Sequence, residues 1–126
     1  MSKGTEGHFD TLPIGRLGLI PLNSSAALGK KVDDYLVSWR KGRGNEFAEK
    51  YVAAYEGYER DSYIIQSQVP RFGSGEAKGI INESVRGDDI YVMVDVTNYS
   101  LSYPIGPYTN LMSPDDHFQD LKRIIA

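Results

Sequence analysis

The sequence contains no cysteine, which excludes disulfide bridges, thiolate zinc sites and a cysteine nucleophile. Basic residues are few, because 14 Lys and Arg stand against 17 Asp and Glu and give a net charge of -3. Such a balance disfavours a dedicated nucleic-acid-binding protein. No apolar run approaches the ~18 residues of a membrane helix, and the first dozen residues lack the apolar core of a signal peptide. We therefore expect a soluble, cytoplasmic protein of one domain that binds neither nucleic acid nor membrane.

The front of the chain has the pattern of a lead, a strand and a helix. Residues 1–14 are polar and without periodicity, which predicts a flexible N-terminal lead. Residues 16–22 have the apolar content of a short strand, and Asn23, Ser24 or Ser25 can cap a following helix. Apolar residues then recur at helical spacing on one face, which we expect to be buried: Leu28, Val32, Tyr35, Leu36 and Trp39.

Two glycines, Gly42 and Gly44, predict the end of this helix. The sequence then predicts three strands, over residues 63–69, 77–82 and 90–96, and the nearly continuous apolar character of the last favours a strand covered on both faces of a parallel sheet. Between the glycines and the first of these strands, a second helical stripe is formed by Phe47, Tyr51, Ala54, Tyr55 and Tyr58.

The end of the chain combines an irregular segment with a well-marked helix. Residues 98–113 are rich in Tyr and Pro and have no periodicity, which predicts a loop without regular structure. Ser113 can cap a helix whose first position suits Pro114 and whose apolar face is Phe118, Leu121, Ile124 and Ile125. Because a parallel strand and its crossover helix lead to a further parallel strand, we expect residues 15–126 to be the first part of a longer α/β domain.

The glycines, acids, histidines and basic residues that could form a functional site can each be explained by an ordinary structural role. The glycines of GSGEAKG lack the spacing of a phosphate-binding loop and favour a turn or β-hairpin. Asp115 and Asp116 suit the first turn of a helix, and His8 and His117 are expected on the surface. Lys30, Lys31, Arg40, Lys41 and Arg43 fit a solvated helix face. Spacing alone assigns no catalytic or metal-ligating residue.

Residues 71–95, RFGSGEAKGIINESVRGDDIYVMVD, resemble phosphoribosyl pyrophosphate synthetase, also called ribose-phosphate diphosphokinase. That family carries the pattern R-F-x-D-G-E, a strand, then I-x-E-x-V-R-G-x-D and an apolar strand. The positions that match are Arg71, Phe72, Gly75, Glu76, Ile81, Glu83, Val85, Arg86, Gly87 and Asp89. The resemblance implies a type I phosphoribosyltransferase-like fold, with an incomplete parallel sheet, flanking helices and a projecting β-hairpin over residues 71–87.

The resemblance also implies a reaction and a nucleotide site. The complete enzyme would transfer the diphosphoryl group of Mg-ATP to ribose 5-phosphate and release AMP. In this chain Phe72 would stack on adenine, Ser74 and Glu76 would face its edge or ribose, and Ser74 replaces the family's Asp without supplying charge. We would expect Mg²⁺ as the cofactor, a homo-oligomer, and no turnover by this stretch alone.

Two other functions stay open at this point. The replacement of Asp by Ser74 suits a non-catalytic regulatory relative that keeps the fold and the oligomer contacts. A weaker alternative is a stand-alone binding module in which the tyrosine-rich segment 98–113 meets a partner.

Overall fold

The computed structural model describes residues 15–51 and 60–126, with the backbone alone for residues 43–51. The predicted lead at residues 1–14, with His8, lies outside the described residues. So do residues 52–59, which carry the end of the second predicted helical stripe.

The described chain combines a small set of strands with two helices, which is compatible with the α/β fold that the sequence predicts. The elements are β1 (Leu17–Pro21), a short 3-10 turn (Asn23–Ser25), α1 (Ala26–Tyr51), β2 (Ser67–Gln68), β3 (Ile80–Ile81), β4 (Asp89–Met93), β5 (Ser102–Ile105), β6 (Tyr108–Leu111) and α2 (Pro114–Ile125). Within these residues neither helix is both long and apolar enough to cross a membrane.

The small sheet at the centre is parallel. β1 pairs with β4 in parallel register, from Leu17 opposite Asp89 to Pro21 opposite Met93. On the other edge of β1, Leu19 forms a parallel bridge with Ile64. The prediction of a parallel sheet within an α/β fold is therefore confirmed.

The prediction that the strand at residues 90–96 is covered on both faces is wrong. The strand is shorter, Asp89–Met93, and in the described part of the chain it pairs with β1 alone. Tyr91 is 63% exposed, because α1 lies over β1 and leaves this face of β4 open. Among the described residues, the apolar run therefore forms a strand with one neighbour in the sheet and one covered face.

Helix α1 is longer than the sequence predicts. Gly42 and Gly44 do not end it, since the helix continues to Tyr51. A glycine within a helix costs only ~1 kcal/mol relative to alanine, and good helix formers surround both positions. The first predicted helical stripe and the start of the second therefore lie on one continuous helix, α1.

The predicted buried face of α1 is wrong in part, since Val32 and Leu36 are half-buried but the other three residues are exposed. Leu28, Tyr35 and Trp39 are 56%, 63% and 58% exposed, whereas Gly29 and Asp33 are buried. A Cβ at Gly29 would lie 2.4 Å from Pro21, so the missing side chain lets the helix approach the sheet closely. Helix α1 approaches β1 closely at Gly29, and the large side chains of α1 point away from this contact.

Helix α2 covers the other face of the sheet. Its residue Ile124 packs with Ile20, Leu22 and Ile65 in the buried core. Successive residues of a strand point to opposite faces, so Ile20 contacts the α2 side while Pro21 contacts α1. The predicted face of α2 is partly wrong, because Ile124 is buried but Phe118 and Ile125 are 49% and 68% exposed.

Candidate functional site

The segment with the family-like motif folds as a β-hairpin, here named the motif hairpin (residues 66–82). β2 and β3 pair antiparallel, and a bridge between Arg71 and Ala77 continues the ladder toward the turn. The prediction that the glycine-rich segment forms a turn or β-hairpin is thus confirmed. The family resemblance implied a hairpin over residues 71–87, whereas the two arms lie at residues 66–71 and 77–82. The second part of that range is a separate turn, where Asp88 N donates to Val85 O at 3.1 Å.

A tight turn closes the motif hairpin. Gly75 N donates to Phe72 O at 2.9 Å, and Phe72 N donates to Glu76 O at 2.7 Å. Gly75 has φ of 89°, in the left-handed region that favours glycine. This combination is typical of a three-residue hairpin loop that ends in a glycine bulge. The glycine therefore fixes the direction in which the tip of the hairpin leaves the sheet.

All three predicted site residues lie on this turn and face solvent. Phe72 is 54% exposed, and the side chain of Glu76 is 75% exposed. Ser74 is exposed, and its hydroxyl accepts a hydrogen bond from Glu76 N at 3.4 Å. The structure brings together an aromatic face, a hydroxyl and a carboxylate within five consecutive residues. Such a set can stack on a planar base and accept hydrogen bonds from its edge.

The residue before the turn faces the protein. Arg71 Nη2 donates to both carboxylate oxygens of Asp120, on α2, at 2.9 Å each. Its Nη1 donates to Gly75 O at 3.2 Å, and its guanidinium carbon lies 4.2 Å from the centre of the Tyr103 ring. One side chain thus contacts the turn, α2 and β5.

A second arginine completes the charge balance around Asp120. Arg123 Nη1 donates to Asp120 Oδ1 at 2.7 Å, and Arg123 Nη2 lies 3.6 Å from Glu76 Oε1. Asp120 is 9% exposed, and two guanidinium groups neutralise it. Glu76 is therefore connected to α2 by an ion pair that is open to solvent.

Sequence reasoning missed a second hairpin. Residues 98–113, expected to lack regular structure, contain β5 and β6 paired antiparallel. The turn between them is Gly106–Pro107, with φ of 55° at Gly106. A Gly at the first central position of a two-residue turn is a hairpin signal. The two prolines concealed this pattern, because proline is unusual within a strand.

The second hairpin packs against the motif hairpin. A Cβ at Gly75 would lie 3.5 Å from Ile105 Cδ1, and Tyr103 lies against Arg71. Asn110 Nδ2 donates to the Tyr103 hydroxyl at 2.8 Å. The tyrosine-rich segment therefore supports the motif turn from one side.

Polar residues also gather at the carboxyl end of β4. His117, expected on the surface, is 2% exposed, and its Nε2 lies 2.8 Å from Asn98 O. The prediction failed because the first turn of α2 faces the loop after β4, and the polar sequence does not reveal that contact. Asn98 Nδ2 in turn donates to Ser24 O at 3.0 Å. Hydrogen bonds from the Thr97 hydroxyl and amide hold the pKa of Asp95, in the same loop, below its usual value.

The other predicted acids have the role expected of them. Ser113 and Asp116 form a capping box at the start of α2, with Ser113 Oγ accepting from Asp116 N at 3.1 Å. Asp115 is exposed in the same turn. Across residues 15–51 and 60–126, no group of three or more histidines and acids could hold a metal ion.

Comparison with known proteins identifies one family. A family model described as the N-terminal domain of ribose phosphate pyrophosphokinase matches residues 17–126. No curated protein and no solved structure matches the chain. The match includes both hairpins, the parallel sheet and both helices.

Proposed function

Because the chain belongs to the family of the N-terminal domain of ribose phosphate pyrophosphokinase, we propose that it supplies the nucleotide-binding hairpin of such an enzyme. The complete enzyme transfers the diphosphoryl group of Mg-ATP to ribose 5-phosphate and releases AMP. Phe72 stacks on the adenine, while Ser74 and Glu76 accept hydrogen bonds from its edge or the ribose. This role belongs to a type I phosphoribosyltransferase-like domain.

The observation that carries the proposal is the exposure of Phe72 on a hydrogen-bonded turn. At 54% exposure the ring is available to a ligand, although a phenylalanine normally favours the core. Two backbone hydrogen bonds and the left-handed Gly75 fix the turn that presents it. A pre-formed aromatic platform loses little conformational entropy when a flat base stacks on it.

In our proposal, the transfer of the diphosphoryl group is carried out by other segments of the enzyme. Phosphoryl-group transfer depends on positioning and on neutralising charge with cationic groups and metal ions. We propose that Mg²⁺ enters with ATP and that further segments of the enzyme hold the phosphates and the sugar. We also propose a cytoplasmic homo-oligomer, and we expect the 126-residue chain alone to release no AMP from ATP and ribose 5-phosphate.

The test is Phe72→Ala in the complete diphosphokinase. Loss of stacking worth ~1–3 kcal/mol should raise the KM for ATP by about 5- to 150-fold, with little change in the KM for ribose 5-phosphate. Phe118→Ala is the matched control, because Phe118 is 49% exposed but lies on α2. An equal rise in both KM values for Phe72→Ala would contradict the adenine contact.

A non-catalytic regulatory relative is the second candidate. The observation that favours it is Ser74, which stands where the family's motif has Asp and leaves the turn with Glu76 as its only acid. A regulator would keep the hairpin and its oligomer contacts without turnover. The complete protein would then release no AMP by itself but would change the rate of a catalytic partner in a mixed assay.

A further inference from the structure

Three separate elements meet at the side chain of Arg71. The guanidinium group pairs with Asp120 on α2, donates to Gly75 O in the motif turn and lies 4.2 Å from the centre of the Tyr103 ring on β5. Only 11% of the Arg71 side chain is exposed. Phe72, the next residue in the chain, is the one that our proposed function places against adenine.

We propose that Arg71 is the positioning residue of the motif turn and that Tyr103 holds its guanidinium plane in place. This inference rests on the proposed function, in which the turn binds the nucleotide. Arg71 acts through Phe72 and Gly75 and does not itself contact the ligand. In this proposal the second hairpin supports nucleotide binding through the contact of Tyr103 with Arg71.

The geometry explains why the motif turn needs such a support. Near its tip the motif hairpin is held by the bridge of Arg71 with Ala77 and the two backbone hydrogen bonds of the turn. A short two-stranded ribbon is only marginally stable in water. Contacts from Arg71 to α2 and to β5 connect this ribbon to the rest of the domain. They restrict where the Phe72 ring can lie, and a displacement of about 1 Å is enough to reduce binding or rate substantially.

Arginine suits this position and lysine does not. A guanidinium group is planar, so it can lie on an aromatic face while its N–H groups reach Asp120 and Gly75 O. Lysine offers a compact charge that cannot make all three contacts at once. The hydrogen bond from Asn110 involves the Tyr103 hydroxyl alone, whereas the contact with Arg71 is made by the aromatic face of the ring.

Substitutions of Tyr103 therefore test the positioning role most directly. Tyr103→Leu removes the aromatic face, whereas Tyr103→Phe keeps it and loses only the hydroxyl that accepts from Asn110. This pair is preferable to removal of Arg71, because the nearly buried Asp120 would lose a partner and the domain could unfold. Arg71→Lys is the third variant, since it keeps the charge beside Asp120.

Two measurements report on the inference. The first is amide hydrogen exchange of Phe72 and Gly75 in the 126-residue chain, with Ile65, whose amide donates to Leu19 O in the sheet, as the reference. The second is the KM for ATP and for ribose 5-phosphate in the complete diphosphokinase. A general loss of stability would accelerate exchange at all three amides and would not separate the two KM values.

We expect Tyr103→Leu and Arg71→Lys to reduce the protection of Phe72 and Gly75 by about tenfold, the scale of a lost cation–π contact, with Ile65 unchanged. The KM for ATP should rise by up to about tenfold, because the weakening of the turn sets this upper limit, while the KM for ribose 5-phosphate and kcat stay near their original values. Tyr103→Phe should behave like the unmodified protein in both measurements.

The outcomes distinguish a failure of the positioning role of Arg71 from a failure of the proposed nucleotide-binding function. Unchanged protection of Phe72 and Gly75 in Tyr103→Leu would overturn the positioning role. So would a Tyr103→Phe variant as impaired as Tyr103→Leu. If Phe72→Ala leaves the KM for ATP unchanged, the proposed function fails, and the exchange data still decide whether Arg71 and Tyr103 fix the turn.

Discussion

The carboxylate of Asp33, on α1, accepts a hydrogen bond from the backbone amide of Tyr63 at 2.6 Å. Its second oxygen accepts from the Ser62 hydroxyl at 2.7 Å. Asp33 is 3% exposed and Tyr63 is 6% exposed, so the pair connects the helix to the start of the segment that bridges to β1. This buried connection explains why a charged residue occupies the sheet-facing side of α1.

Asp33→Ala should therefore destabilise the domain. The substitution leaves a buried backbone donor without its acceptor, which costs ~1–3 kcal/mol, and we expect a loss of about 2 kcal/mol in the free energy of unfolding. Urea unfolding of the chain measures it. Asp34→Ala is the control, because Asp34 pairs with Lys30 on the exposed side of the same helix, where ion pairs contribute about 0–1 kcal/mol. Equal losses for the two variants would contradict this interpretation.

The two glycines of the motif turn should respond differently to alanine. Gly75 has φ of 89°, where an L side chain is strained by roughly 1–2 kcal/mol. Gly73 has no positive φ, and nothing lies within 4 Å of a Cβ built there. Thermal unfolding should show Gly75→Ala destabilised by about that amount and Gly73→Ala within about 0.5 kcal/mol of the original protein. Equal stability of the two variants would mean that the left-handed turn is not maintained in solution.

Ser74 offers a gain-of-binding test of the proposed nucleotide site. Ser74→Asp restores the acid of the family's motif, and hydrogen bonds to charged acceptors are stronger than neutral ones by about 1 kcal/mol. We expect the KM for ATP in the complete diphosphokinase to fall by about fivefold. Ser84→Asp adds the same charge at another exposed position and should leave that KM unchanged. A similar effect of both variants would indicate a general effect of charge.

Local sequence signals predicted much of the fold. The apolar run before Asn23 is β1, and Ser113, Pro114 and Asp116 open α2 as their residue types predict, because capping depends on neighbours in the chain. The glycine-rich motif is a hairpin turn for the same reason. Phe72, Ser74 and Glu76 share that turn, and their binding of nucleotide stays a prediction.

Several of the failures concern contacts between distant segments. The buried side of α1 is determined by the close approach of Gly29 to Pro21, which helical periodicity does not show. His117 is buried by the loop after β4, and Arg71 by β5 and α2. These contacts depend on tertiary packing, so no local pattern identifies the residues that support the candidate site.

The stability of the loop after β4 should depend on pH through Asp95. The Thr97 hydroxyl donates to Asp95 Oδ1 at 2.7 Å and the Thr97 amide donates to it at 2.9 Å. These hydrogen bonds, the hydroxyl first, lower the pKa of Asp95 below its ordinary value of 3.8. Because the pKa is lower in the folded state, the ionised carboxylate stabilises the loop above the ordinary value, and this contribution is lost as the pH falls through the folded value.

Thr97→Val removes the hydroxyl donor and should raise the pKa of Asp95 toward its ordinary value. Titration of the Asp95 carboxyl carbon by NMR, from about pH 2 to 6, measures the shift. Thr109→Val is the control, because Thr109 is an exposed residue of β6 and is not among the groups that shift Asp95. If Asp95 titrates identically in the original chain and in Thr97→Val, the hydroxyl contact does not order this loop in solution. A shift confined to Thr97→Val would show that the Thr97 hydroxyl donates to the Asp95 carboxylate in solution, as it does in the structure.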